Sequence, residues 1–223
     1  MRPISQIAPP RASAVARVLA RRYDSFTPSA DVAIDALLAA AWCALVLDGV
    51  WQTSREHHAR AAFGPVVVQA WPPSVAAGLA VLATTLAAAV ALERMTGRFP
   101  FRVAPASVGV ALAVMGVLLH GWARRTLGPM WSGVVQVRAQ HVVVDRGPYR
   151  LVRHPIYVAG LLMAMGTFLA HPSAATACLA IGLTAGMLLK AWLEERALRT
   201  ALGDAYSAYA ARVPAFLPRV RRS

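Results

Sequence analysis

Lysine is almost missing from this chain of 223 residues: Lys190 is the only one, and arginine supplies nearly all of a formal net charge of +13. Acidic residues are scarce, ten against 23 basic ones. There are two cysteines, Cys43 and Cys178, both within apolar runs and without metal-type spacing, so they read as small buried hydrophobes and no metal site is expected. A strand leading into a glycine-rich loop is lacking, which argues against a Rossmann-type nucleotide site. No apolar stretch closely follows the N-terminal arginines, which excludes a secretory signal. The chain also has no repeated halves, which disfavours a small transporter. A soluble basic face, as a nucleic-acid binder would need, is not found either. The arginines stand instead beside hydrophobic runs, which suits anionic lipid headgroups, so membrane lipids are expected partners and nucleic acid is not.

What is present is apolar residue in long blocks. The chain is 57% hydrophobic with mean hydropathy +0.50, above the composition of a soluble domain. Residues 1–30 are polar and Arg-rich; within them 11–23 read as a helix on the membrane surface, with a transit peptide as the alternative. Three spans follow within 31–127, at 32–51, about 73–92 and about 105–122, each near the ~20 residues a bilayer needs. Asp35 and Asp48 interrupt the first and are expected to reach the interface or a neighbouring helix. Residues 155–189 form a longer apolar block, broken at His171-Pro172, which reads as the tip of a helical hairpin. The expected fold is an all-α integral membrane protein of about five transmembrane helices, with an amphipathic helix after Leu189. The part from 128 to 223 is set apart by its charged segments. The sequence sets no oligomeric state.

Five spans put 15 of the basic residues on one side of the membrane and 8 on the other, so the loop before the hairpin and the C-terminal tail are expected to face the cytoplasm. The hairpin also brings two remote charge-rich segments together at one face. One foot carries residues 141–157, and the other carries Lys190, Glu194 and Glu195. Positive-inside flanking explains the arginines, but it does not explain an acidic pair, a histidine or a tyrosine. Ionisable residues at that depth are candidates for function.

The stretch GPYRLVRHPIYVAG, followed by Glu194-Glu195, Leu202-Gly203, Tyr206, Tyr209, Arg212-Val213-Pro214 and Pro218, resembles the isoprenylcysteine carboxyl methyltransferase family and related phospholipid methyltransferases. The resemblance covers roughly residues 135–220. It implies transfer of a methyl group from S-adenosylmethionine, with S-adenosylhomocysteine as product, to a lipophilic or lipidated acceptor in a membrane, here a bacterial inner membrane. The alternatives are a non-catalytic lipid-binding or assembly module, and methylation of a thiol or amine.

Carried over residue by residue, the resemblance implies that His141, Val142, Val143 and Val144 line the nucleoside pocket. Tyr149 would join them after the Gly147-Pro148 turn. His154, Pro155, Ile156 and Tyr157 would hold the cofactor at a helix start, whose free N–H groups favour a carboxylate. Glu194 would accept from the amino or ribose groups. Lys190, where the family often has arginine, would face the substrate with Arg212. Catalytic roles would fall to Lys190, Glu195 and Arg153, the arginine as a contact rather than a base. Ala215 stands where the family commonly has a basic residue.

Overall fold

The structure, a computed structural model, describes residues 28–61, 63–69, 92, 103–131 and 136–218. The expected surface helix at 11–23, and the second span apart from Leu92, lie outside the described residues.

Four long helices carry the described fold. Residues 32–51, expected as the first span, fall within α1, Pro28–Ala61, and residues 105–122, expected as the third, fall within α2, Val103–Leu127. The apolar block resolves into α3, Pro155–Ala170, and α4, Ala174–Arg212. Proline is tolerated at the first position of a helix, and Pro155 sits there in α3. The break falls at residues 171–173, where Pro172 cannot continue the ladder. Ser173 then restarts the helix with a capping box: its hydroxyl accepts from Thr176 N at 3.1 Å, and Thr176 Oγ1 accepts from Ser173 N at 2.9 Å. The hairpin tip therefore lies where the sequence puts it. Among the described residues, α2 with its short 3₁₀ extension to Met130 and α4 are long and apolar enough to cross a membrane, and α3 is a shorter apolar helix. The described residues are predominantly helical.

Small residues set the packing, as they do where lipid offers apolar side chains no reason to leave it. α2 runs antiparallel to α3, and a Cβ on Gly109 would strike the Gly166 carbonyl. One on Gly116 would come within 2.7 Å of the Ala159 carbonyl. α1 covers this pair through Leu38 and Ala41, which share a cluster with Ala113, Met163 and Ala170. Polar ties fix its register. Asp35 Oδ1 lies 2.8 Å from His171 Nε2, and Asp48 Oδ2 lies 3.6 Å from His120 Nδ1. Trp42 Nε1 donates to Thr167 Oγ1 at 3.1 Å. Both acids of the first span thus face histidines of neighbouring helices.

The all-α expectation fits, with one addition and two corrections. The addition is a short ribbon: β1, Val66–Gln69, pairs antiparallel with β2, Gln136–Arg138. Val137 of this ribbon is buried against Ala197 of α4. The cysteines are not buried; Cys43 and Cys178 lie exposed on helix surfaces, because glycine and alanine fill the close contacts between helices. Finally, the amphipathic stretch after Leu189 is no separate helix but continues α4. Its regularity fails only at Gly203, whose φ of 53° and ψ of −125° leave the helical region. Beyond that bend Tyr206, Tyr209 and Val213 form an inward-facing cluster at helical spacing.

Candidate active site

The hairpin's two feet meet. α3 begins at His154-Pro155 and α4 passes beside it in the turn that carries Glu194 and Glu195. Adjacent positions on a helix point about 100° apart, so the two glutamates face different partners. Tyr157 Oη donates to Glu194 Oε2 at 2.6 Å. Glu195 Oε1 accepts from Arg153 Nε at 2.9 Å and Nη2 at 2.6 Å, and lies 3.0 Å from His154 Nε2. Arg199 reaches its other oxygen at 3.5 Å.

The C-terminal segment closes the arrangement from below. Arg153 Nη1 donates to the carbonyls of Ala210 at 2.9 Å and Val213 at 2.6 Å. The backbone N–H groups of Arg153 and His154 donate to Pro214 and Ala215 at 2.8 and 3.0 Å. The His154 ring stacks on both Tyr157 and Phe216, with centroids 5.3 and 5.5 Å away. Tyr209 Oη donates to the Tyr149 carbonyl at 2.8 Å, tying this segment to the 3₁₀ turn Gly147–Arg150. That turn starts with Gly147 at φ +57°, where a Cβ would also meet Thr126 Oγ1 at 2.8 Å. Only glycine suits both the dihedral and the approach to α2.

Together these pieces enclose a partly open cleft with a cavity volume of about 130 Å³. Of the residues expected from the sequence, His141, Val142, Val143, Val144, Tyr149, Arg153, His154, Pro155, Ile156, Tyr157, Lys190 and Glu194 line it. Gly147 shapes it from behind. Glu195 does not line it, because its carboxylate is turned to Arg153, His154 and Arg199. Arg212 does not either: Tyr209 and Val213 take the inward face, and the exposed arginine lies 3.9 Å from Asp145. The expected row of free N–H groups at the start of α3 is curtailed, since Pro155 has none and that of His154 is spent on Ala215. Leu127, Met130, Trp131, Gln136, Val137 and Leu198 line it without having been expected, and Leu202, Tyr206 and Tyr209 complete the lining. The aromatic spacing of Tyr206 and Tyr209 was the one sequence signal for their presence there.

The electrostatics divide the cleft. Burial works to raise the Glu195 carboxyl, but hydrogen bonds from His154 and Arg153 and the arginine's charge bring it down to about 2. It is therefore a fixed anion. Burial pushes the His141 imidazole below its ordinary value, with Glu194 acting against it, so His141 is a neutral group on the wall. Burial also lowers the Lys190 ammonium, again opposed by Glu194; that side chain stands 5.7 Å above the Tyr157 ring. Tyr149 is held well above the usual phenol range by burial and by Glu194, which makes it a donor and not a base. One wall is thus aliphatic and aromatic, and the other offers a carboxylate, an imidazole, a phenol and an ammonium. That combination suits a nucleoside bearing a charged amino-acid end.

Residues 109–200 match the model of the isoprenylcysteine carboxyl methyltransferase (ICMT) family. Among curated proteins, the cobalt-zinc-cadmium resistance protein CzcN of Cupriavidus metallidurans is 34% identical over 115 residues, covering 51% of this chain and 52% of that protein. Protein-S-isoprenylcysteine O-methyltransferase B of Arabidopsis thaliana is 30% identical over 116 residues, covering 50% and 58%. A probable protein-S-isoprenylcysteine O-methyltransferase of Oryza sativa is 31% identical over 115 residues, covering 50% and 60%. The chain spans between half and two thirds of the length of these relatives.

Proposed function

We propose, from the match of residues 109–200 to the isoprenylcysteine carboxyl methyltransferase family model, that this protein is a membrane methyltransferase that uses S-adenosylmethionine and methylates the carboxylate of a lipophilic, isoprenylcysteine-like acceptor. The single observation that carries the reading is the meeting of the two hairpin feet, with Tyr157 bonded to Glu194 across the floor of the cleft.

The donor, when bound, supplies an electrophilic methyl group on a sulfonium. This chain's own residues do the rest. Glu194 and His154, which line the cleft, would face the charged end of the donor, and Val142, Val143, Val144 and Tyr149 would offer an apolar wall to its base. Lys190 faces the acceptor carboxylate at the point where the cleft meets the apolar part of the hairpin. With the donor held by these residues, the acceptor carboxylate would take its methyl group, and the products would be a methyl ester and S-adenosylhomocysteine. No proton moves, and no base is required of Glu195, which suits its permanent ionisation. Charge is dispersed in this displacement, so a water-poor, pre-ordered pocket favours it. The excess of arginine on the side of the feet supports a cytoplasmic site in an inner membrane.

The test is transfer of a labelled methyl group from S-adenosylmethionine to the lipid or lipidated fraction of membranes containing the protein. A base-labile label, released as methanol, is expected. A label stable to base would replace the carboxylate acceptor with an amine or thiol. No transfer above membranes lacking the protein would remove the enzymatic reading.

A further inference from the structure

Glu195 is the most heavily engaged carboxylate of the site, yet it does not face the cleft. A single oxygen, Oε1, meets Arg153 twice and His154 once. Ionised carboxylates have only lone pairs to offer, and Glu195 is held ionised. The hydrogen between it and the imidazole therefore belongs to His154 Nε2. The opposite ring nitrogen, Nδ1, lies 4.0 Å from Glu194 Oε2. That is too far for a direct hydrogen bond, but one nitrogen donor can reach both atoms at ordinary bonding distances. Both His154 and Glu194 line the cleft. Stacking on both Tyr157 and Phe216 restrains the ring from turning to escape this choice. Arg153 is held in place as well, since its Nη1 donates to both Ala210 and Val213.

We propose that Glu195 is a positioning residue that commits His154 to the Nε2–H tautomer, so that Nδ1 and Glu194 Oε2 together form a receptor for a primary ammonium group, the amino end of the methyl donor. The inference rests on the reading of the cleft as the donor site. It moves Glu195 from the reacting centre to the scaffold behind it, and it makes recognition of the amino group, not proton transfer, the purpose of the histidine.

The experiment uses the full chain in detergent and two probes, S-adenosylhomocysteine and 5′-methylthioadenosine. The second keeps the nucleoside and sulfur but has no amino-acid end. Glu195→Ala is expected to weaken S-adenosylhomocysteine about tenfold, the scale of one charge-assisted hydrogen bond, and to leave methylthioadenosine unchanged. Glu195→Gln is expected to restore most of the affinity, because its amide oxygen accepts from the same donors. Nitrogen NMR of the histidine-labelled protein should show His154 with a protonated Nε2 and a bare Nδ1. Equal loss for both probes, or loss for neither, overturns the proposal. So does a wild-type His154 that carries its proton on Nδ1, a reading that needs no variant to fold. If the wild type binds neither probe, the donor-site reading fails, while the NMR still decides what Glu195 does to His154.

Discussion

Tyr157 and Glu194 are separated by 37 residues in sequence and joined by a 2.6 Å hydrogen bond. The bond spans the two feet of the hairpin, since Tyr157 is in the first turn of α3 and Glu194 lies about five turns into α4. It binds a phenol to the carboxylate that faces the cleft, and so fixes the direction in which that carboxylate points.

Tyr157→Phe keeps the ring, and with it the stack on His154 and the contact with Lys190, but removes the donor. Glu194 is then short of one charge-assisted bond, a loss of roughly 1.5–3 kcal/mol where the group is buried. Calorimetric titration with S-adenosylhomocysteine should show affinity reduced by at least about tenfold, with little change in thermal stability. Undiminished affinity would mean that Glu194 needs no orientation to act.

Glycine positions separate packing from backbone effects. Gly166→Ala puts a Cβ into the Gly109 carbonyl and within 3.0 Å of Ala113 N, so α2 and α3 must part, at a cost of about 1–3 kcal/mol. Gly203→Ala meets nothing within 4 Å. It is nonetheless expected to cost about 1–3 kcal/mol, because its φ of 53° with ψ of −125° is glycine territory. Gly182→Ala, also in open space but in regular helix, should be neutral or stabilising by up to about 1 kcal/mol. Thermal unfolding in detergent ranks the three. Gly203→Ala should in addition weaken nucleoside binding, since the bend delivers Tyr206 and Tyr209 to the cleft.

Acid should destabilise the protein in two stages. The folded His141 imidazole resists protonation, so below its ordinary value of 6.5 the unfolded chain binds more protons and stability falls. Glu195 is depressed from 4.5 to about 2, so its contribution is complete above 4.5 and is lost as pH falls toward 2. The melting temperature measured from pH 7 to 3 should decline below 6.5 and more steeply below 4.5. Glu195→Gln should flatten the lower stage only. An equally steep lower stage in that variant would assign it to another carboxylate.

Much of this site is legible in the sequence because its cause is topological. A proline at 172 within an apolar block of hairpin length returns the chain to the face it left, and the charged segments at 141–157 and 190–195 have nowhere else to meet. What is not legible depends on rotation and on distant partners. Glu194 and Glu195 are equivalent by composition, and only the azimuth of α4 turns one to the cleft and the other to Arg153. The four-residue strand Val66–Gln69 acquires its conformation from Gln136–Arg138, about 70 residues away, so local pattern cannot announce it. The pairs Asp35–His171 and Asp48–His120 show the same limit: each acid looks costly until the neighbouring helix supplies its histidine.

The central claim is that the two feet of the hairpin together hold the methyl donor. Calorimetric binding of S-adenosylhomocysteine to the wild type and to the His154→Ala/Glu194→Ala double variant measures it most directly. Saturable binding by the wild type and its loss in a double variant with an unchanged melting temperature is the predicted result. Equal binding by both folded proteins would contradict it.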